Sequence, residues 1–124
     1  MAISNYRELI VWQKAMDLVT SVYELSEEFP PSERFGLTSQ IPRAAVSIPT
    51  NIAEGYARTH RGDYLHHLSF AKGSLAEVET LLTLAVRLKR IDRQQTLPVW
   101  GQSQDVGRLL TRLIASLRRS GPKP

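Results

Sequence analysis

The stretch from Gly36 to Tyr56 constrains the fold most, because its apolar residues keep a helical spacing through two internal prolines. At steps of four, three, four and four residues come Leu37, Ile41, Ala44, Ile48 and Ile52. This spacing places them on one stripe of an α-helix, whereas a strand would alternate apolar and polar residues. Pro42 and Pro49 each remove a backbone N–H and the helical hydrogen bond that it would donate. The sequence therefore predicts a bent core helix.

A polar stripe follows the other side of the same helix. It repeats at helical spacing and consists of Gln40, Arg43, Ser47, Asn51, Glu54 and Arg58. A solvated helix face is usually rich in Lys and Glu, whereas short amide and hydroxyl side chains beside a lone carboxylate satisfy one another or a partner. The stripe therefore indicates an interface, and leaves open whether it lies inside one chain or between subunits.

Three further segments have apolar seams of helical spacing. The seams are Val11, Ala15, Leu18, Val22, Leu25 and Phe29; Leu68, Ala71, Leu75, Val78, Leu82 and Ala85; and Val106, Leu110, Leu113 and Leu117. We expect helices at about residues 6–28, 32–58, 63–90 and 93–119, with a start near Pro98 as the alternative for the last. Short links between four such helices predict an all-α fold, an antiparallel up-down-up-down four-helix bundle in a single domain of residues 1–124.

Local details of these helices also carry predictions. Ser32 and Asp63 are expected to cap the second and third helices, and Asp92 with Gln95 the fourth. Glycine inside a helix costs about 1 kcal/mol relative to alanine, so Gly73 is expected to permit close approach of a neighbouring helix. On the first helix a second apolar row indicates contact with more than one partner: Trp12, Met16, Val19 and Tyr23.

The basic charge is concentrated in the last third of the chain. Residues 1–86 contain seven Lys or Arg against ten Asp or Glu, and residues 87–124 contain nine against two. In the predicted topology four acids share one end of the bundle with four bases, where we expect mutual neutralisation. These are Glu24, Glu27, Glu28 and Glu33, and Arg87, Lys89, Arg90 and Arg93. The other end stays basic.

A basic surface is the electrostatic footprint of a nucleic-acid-binding protein. Arg108 and Arg112 lie four residues apart on one helix face, and Arg119 follows seven residues later. Like charges at this spacing disfavour a helix unless an anion lies over them, which favours a polyanionic partner. The arginines predicted to bind nucleic acid or another partner are Arg7, Arg58, Arg61, Arg108, Arg112, Arg118 and Arg119.

The sequence carries no catalytic or cofactor motif. There is no cysteine, no phosphate-binding glycine loop and no Glu-x-x-His pair of the kind that di-iron bundles use. Asp63 with His67 is a weak metal pattern, so we expect no metal, no cofactor and no catalytic residue. The enzymatic alternative is a cleft site in which Arg43, Asn51 and Glu54 supply cation, amide and acid. The start of the chain lacks a signal-like apolar run, so we expect a cytoplasmic protein without membrane contact.

Several blocks in a fixed order carry a resemblance to a known family. They are LIVWQKAMDLV, ERFGLTSQ, AVSIPTNIAEGYAR and LSFAKGSLAEVETLL. From about Tyr6 to Ile91 the chain resembles the bacterial four-helix-bundle proteins encoded by intervening sequences in the large-subunit ribosomal RNA gene. The resemblance implies a ring of five subunits without established enzymatic activity. A related branch, the accessory variability determinant proteins of diversity-generating retroelements, binds a reverse transcriptase and nucleic acid.

These observations lead to one expected function. We expect a non-enzymatic homo-oligomer, a pentamer by resemblance, that binds RNA or DNA, or a reverse transcriptase-like protein, through a basic surface. The polar stripe and the small residues of the third helix are expected to contribute to subunit contacts. The alternative is a structural oligomer with a protein partner only.

Overall fold

The protein is described here by a computed structural model that covers residues 4–119. Its four helices are α1 (Ile10–Ser26), α2 (Leu37–Tyr56), α3 (Arg61–Arg87) and α4 (Arg93–Arg119). Short 3-10 turns at Tyr6–Glu8 and Pro31–Glu33 precede α1 and α2. The described residues contain no strand, so the predicted all-α class is confirmed. None of these helices is long and apolar enough to cross a bilayer.

The helices pack as a square in chain order. α1 contacts α2 and α4, α3 contacts the same two helices, and the diagonal pairs do not approach each other. Ser47 bonds Ser74 and Asn51 bonds His67, while Lys72 bonds Thr111 and Glu79 bonds Gln104. In both pairs the residue numbers run in opposite senses, so α3 is antiparallel to both of its neighbours. The result is the predicted up-down-up-down bundle.

The core consists of the seams that the helical spacing predicted. All seam residues of α1, α2 and α3 are buried, and Leu18, Ile48 and Leu68 are completely inaccessible to solvent. On α4, Val106 and Leu110 are buried, while Leu113 and Leu117 pack against the core with part of their surface exposed. α2 continues as one helix through Pro42 and Pro49, and both prolines are buried.

The starts of the helices differ in part from prediction. Ser32 lies inside a 3-10 turn and caps nothing; instead Glu33 Oε1 accepts a hydrogen bond from the Leu37 N–H (3.1 Å) at the start of α2. This bond, and then the Arg90 side chain, lower the pKa of Glu33. Asp63 is also no cap, because α3 already begins at Arg61.

The start of α4 matches the capping arrangement in the sequence. Gln95 Oε1 accepts a hydrogen bond from the Asp92 N–H at 2.9 Å, and α4 begins at Arg93 and not near Pro98. α3 ends three residues before the predicted position, since Lys89 adopts a left-handed conformation with φ 59°. Such a residue ends a helix and lets the next N–H, here that of Arg90, bond back to Ala85 O (2.9 Å).

Candidate nucleic-acid interface

Part of the polar stripe on α2 is used inside the chain. Asn51 Nδ2 donates to Ser47 O (2.9 Å) and Ser47 Oγ (3.1 Å), and Ser47 Oγ also accepts from Ser74 Oγ (2.8 Å). Asn51 Oδ1 accepts from His67 Nδ1 at 3.0 Å, and Glu54 Oε1 lies 3.8 Å from the same nitrogen. These five side chains form a polar contact between α2 and α3 of one chain. The sequence had left open whether such a contact lies inside one chain or between subunits.

α2 and α3 pack closely one helical turn beyond Asn51, at Gly55. A Cβ on Gly55 would lie 2.7 Å from His67 Cβ and 3.0 Å from Tyr64 Cδ1. Gly73 does not have the predicted role, because a Cβ there would meet nothing within 4 Å. The close-approach glycine was therefore assigned to the wrong helix.

Tyr64 beside Gly55 has an unusual hydroxyl group. The oxygen is buried and has no hydrogen-bond partner. Burial, with a smaller contribution from Tyr56, raises the pKa of Tyr64 to about 12. The side chain therefore stays neutral at physiological pH and packs edge-on against the Tyr56 ring.

The remaining members of the stripe face solvent. Gln40, Arg43 and Arg58 are exposed, and the Arg43 guanidinium donates to Ser39 Oγ (3.3 Å), one turn nearer the start of α2 and away from Asn51. Asn51 is saturated by its own neighbours. Within residues 4–119 the trio proposed for an enzymatic site, Arg43, Asn51 and Glu54, thus forms no common constellation.

The histidines near the start of α3 have packing partners. The His66 ring lies 4.4 Å from that of Phe70, and His67 bonds Asn51. Across residues 4–119 no three His, Cys, Asp or Glu side chains gather in a way that could hold a metal ion.

The predicted basic pair on α4 lines a groove between α3 and α4. This groove has a volume of about 530 Å³, and Lys72, Arg108, Thr111 and Arg112 all line it. Lys72 Nζ donates to Thr111 Oγ1 at 3.1 Å, which holds the ammonium group in the groove. The sequence reasoning missed Lys72, whose membership depends on the register of α3 against α4. We call Lys72, Arg108 and Arg112 the basic groove.

Carboxylates modify this groove at two places. Asp105 pairs with Arg108 on the same helix, which offsets part of the repulsion between Arg108 and Arg112. Glu79 accepts hydrogen bonds from the buried Ser103 and from Gln104 Nε2, and it bounds the groove on the side away from Lys72. Among the described residues Arg112 makes no ion pair.

The other predicted arginines lie at one end of the bundle, where α2 and α4 end and α3 begins. Arg7, Arg58, Arg118 and Arg119 are exposed, Arg61 is half-buried, and none of them forms an ion pair within residues 4–119. The Arg7 guanidinium stacks over the Tyr6 ring at 5.2 Å. This basic end carries charge that the fold itself does not neutralise.

At the opposite end, mutual neutralisation is confirmed for one pair. Arg90 Nε lies 2.7 Å from Glu33 Oε2, and Glu28 bonds Gln95 instead of a base. In the part of the chain that the structure describes, Arg87 and Arg93 have no acidic partner. The predicted mutual neutralisation at this end is therefore confirmed for Arg90 and Glu33 and not for Arg87 and Arg93.

Comparison with known proteins places this bundle in a family. A family model described as "23S rRNA-intervening sequence protein" matches residues 7–112. The chain belongs to this family. The match confirms the resemblance carried by AVSIPTNIAEGYAR and extends beyond Ile91 into α4.

A crystal structure from Bacteroides thetaiotaomicron VPI-5482 is similar to the present chain. It is described as a protein with unknown function from the S23 ribosomal protein family, and is 26% identical, with a TM-score of 0.78. The similarity covers 85% of the present chain and 98% of that chain. No curated protein sequence matches significantly. Neither description names an enzymatic activity.

Proposed function

We propose that this protein is a non-enzymatic homo-oligomeric bundle that binds RNA or DNA through the basic groove and the adjoining basic end. The observation that carries the proposal is the convergence of Lys72, Arg108 and Arg112 on one groove. Charges on two different helices can contact successive phosphates of a nucleic-acid backbone. A ring of such subunits, five by family resemblance, would repeat this groove around one assembly.

The groove favours backbone contacts over base recognition. Its lining contains no aromatic side chain on which a base could stack. The expected binding is therefore weak per subunit, largely independent of sequence, and strongly weakened by salt through counterion release.

The test is a titration of fluorescent single-stranded and duplex oligonucleotides, RNA and DNA, at about 50 and 200 mM salt, where phosphate-driven affinity differs most. A variant with Lys72, Arg108 and Arg112 changed to Gln should lose most of the binding at the lower salt concentration. The matched control changes three exposed bases away from the groove, Lys14, Arg34 and Lys89, to Gln. This control loses as many positive charges as the groove variant, and it should keep most of the parent's affinity for the oligonucleotides.

Two results would overturn nucleic-acid binding. One is a parent protein that binds no oligonucleotide at low salt, and the other is a groove variant that binds as well as the parent. A protein partner, such as a reverse transcriptase-like protein, would then be the remaining account of the basic groove. Assembly is tested separately, by light scattering coupled to size exclusion, against the 14.0 kDa mass of one subunit.

A further inference from the structure

Two grooves on opposite sides of the bundle collect most of its exposed apolar side chains. Ten large apolar residues are exposed within residues 4–119, and six of them line these grooves. The α1/α2 groove contains Met16, Tyr23 and Val46. The α3/α4 groove, as the name is used here, lies between the last part of α3 and the first part of α4 and contains Leu84, Leu97 and Trp100. Because the helices follow one another around a square, the pair α1/α2 and the pair α3/α4 form opposite edges.

The two grooves carry opposite charge at the same end of the bundle. Arg87 and Arg93 line the α3/α4 groove beside Leu97 and Trp100. Glu27 lines the α1/α2 groove beside Tyr23. None of these three charges forms an ion pair within the described chain.

Other charges in the two grooves are already engaged. Arg43 lines the α1/α2 groove but bonds Ser39, and Glu54, further along it, lies near His67. Glu79, in the α3/α4 groove, accepts hydrogen bonds from Ser103 and Gln104. A bond to a hydroxyl leaves Arg43 charged, so the α1/α2 groove holds one base beside the carboxylates Glu27 and Glu54, and the α3/α4 groove holds two bases beside Glu79. The net charge is therefore acidic on one edge and basic on the other.

We propose that the α3/α4 groove of one subunit binds the α1/α2 groove of a second copy of this chain. Tyr23 would pack against Leu97 and Trp100, with Glu27 beside Arg87 and Arg93. This inference rests on the proposed homo-oligomer and names its contact surfaces. Pairing two like grooves would oppose Arg to Arg or Glu to Glu, whereas pairing unlike grooves joins apolar surface and opposite charges together.

A contact between two different surfaces has a consequence for the assembly. After its first contact each subunit keeps one free groove, so further subunits can add. The assembly closes into a ring when the rotation between neighbouring subunits divides a full turn, and otherwise forms an open filament. The aromatic side chains Tyr23 and Trp100 are of the type that dominates binding energy at such interfaces. The basic groove lies further along α4, since Arg108 is eight residues from Trp100, about 12 Å along the helix.

The experiment uses two single variants, each of which damages one groove. Trp100→Asp places a carboxylate in the α3/α4 groove, and Tyr23→Asp does so in the α1/α2 groove. Each variant alone should be a 14.0 kDa monomer in light scattering coupled to size exclusion. An equimolar mixture should form a dimer, because each variant supplies the groove that the other has lost, and the dimer cannot grow further. Phe70→Asp, on an exposed apolar residue outside both grooves, should keep the parental size.

A charge-reversal series protects the test against a variant that fails to fold. The double variant Arg87→Glu, Arg93→Glu should form a smaller assembly than the parent, and so should Glu27→Arg. All three positions are exposed. Mixing these two proteins should restore an assembly larger than a dimer, because each groove of one variant is opposite in charge to the facing groove of the other, so the two variants can alternate. Circular dichroism checks that each variant keeps the parental helix content.

The outcomes separate the two proposals. A parent that stays monomeric at every concentration overturns the homo-oligomer and these surfaces together. A parental oligomer that survives both aspartate substitutions, or mixed variants that stay monomeric, overturns only the assigned surfaces.

Discussion

At the scale of single residues, Asn51 joins α2 to α3 through its amide oxygen, which accepts from His67, while its amide nitrogen donates to Ser47 on its own helix. The Asn51→Ala variant removes the bonds to Ser47 and leaves His67 Nδ1 without its acceptor. We expect a loss of about 1 to 3 kcal/mol of unfolding free energy, the cost of a polar group left without its partner. Urea denaturation measures the loss, with Gln40→Ala, an exposed member of the same stripe, as the control within about 0.5 kcal/mol of the parent.

Assembly size gives a second measurement on the same variant. Because the partners of Asn51 belong to its own chain, Asn51→Ala should keep the parental oligomer. A smaller assembly with unchanged unfolding energy would instead place this part of the stripe between subunits.

Tyr64 gives a prediction of the opposite sign. Its hydroxyl oxygen is buried without a partner, so Tyr64→Phe should leave stability unchanged or raise it by up to about 1 kcal/mol. The pH dependence follows from the raised pKa, about 12 against an ordinary value of 10.0. Below pH 10 the phenol is neutral in both the folded and the unfolded state, so its ionisation does not affect stability. As the pH rises from 10 to 12 the unfolded chain loses this proton first, and the folded state loses stability.

Alkaline unfolding distinguishes Tyr64 from the other tyrosines. Between pH 9 and about 11.5 the parent should lose more unfolding free energy than Tyr64→Phe does. Tyr23→Phe, at an exposed tyrosine, should follow the parental pH profile. Parallel profiles for all three proteins would contradict the burial of the Tyr64 hydroxyl.

At the scale of helices, two glycines with opposite surroundings provide a matched pair. Alanine at Gly55 would bring its Cβ within 3.0 Å of α3, and overpacking of this kind costs about 1 to 3 kcal/mol. Alanine at Gly73 meets nothing within 4 Å and should gain about 0.5 to 1 kcal/mol from its higher helix propensity. Thermal unfolding should therefore move in opposite directions for Gly55→Ala and Gly73→Ala. A stabilising Gly55→Ala would show that α2 and α3 are further apart than described.

The same glycines show what a sequence can predict about this bundle. The apolar seams were predictable because their period is a local property of the chain, and all of α1 to α3 follows it. Which glycine faces a neighbouring helix depends on the rotation of two helices against each other, which no local pattern determines. Lys72 was missed for the same reason, since its distance to Thr111 depends on the antiparallel register of α3 and α4.

At the scale of the whole molecule, the fold separates its charges along the bundle and across it. The basic groove and basic end lie toward the end of α4, while the unpaired Arg87 and Arg93 lie at the opposite end, across the bundle from Glu27. The proposed subunit contact uses the second group, and the proposed nucleic-acid contact uses the first. Mutations should therefore be able to abolish assembly without abolishing nucleic-acid binding at one subunit. The two properties are still coupled, because assembly sets how many basic grooves one particle presents.

The coupling predicts how the monomeric variant Trp100→Asp binds nucleic acid. Its basic groove is intact, so a short oligonucleotide that fits one groove should bind the variant and the parent equally well. A long oligonucleotide can contact several grooves of a ring at once, which raises its effective affinity without any new type of contact. The parent should therefore bind the long oligonucleotide more tightly than Trp100→Asp does. Its slope of log affinity against log salt should be steeper, because more phosphates release counterions.

Anisotropy titrations over a series of salt concentrations give both slopes, with Phe70→Asp as the assembled control that should follow the parent. Equal slopes for the parent and Trp100→Asp on the long oligonucleotide would mean that only one groove is in contact at a time. A loss of binding to the short oligonucleotide in Trp100→Asp would mean instead that the binding site is shared between subunits. A ring of separate grooves requires that Trp100→Asp bind the short oligonucleotide as the parent does. It also requires that the variant's slope of log affinity against log salt be shallower on the long oligonucleotide.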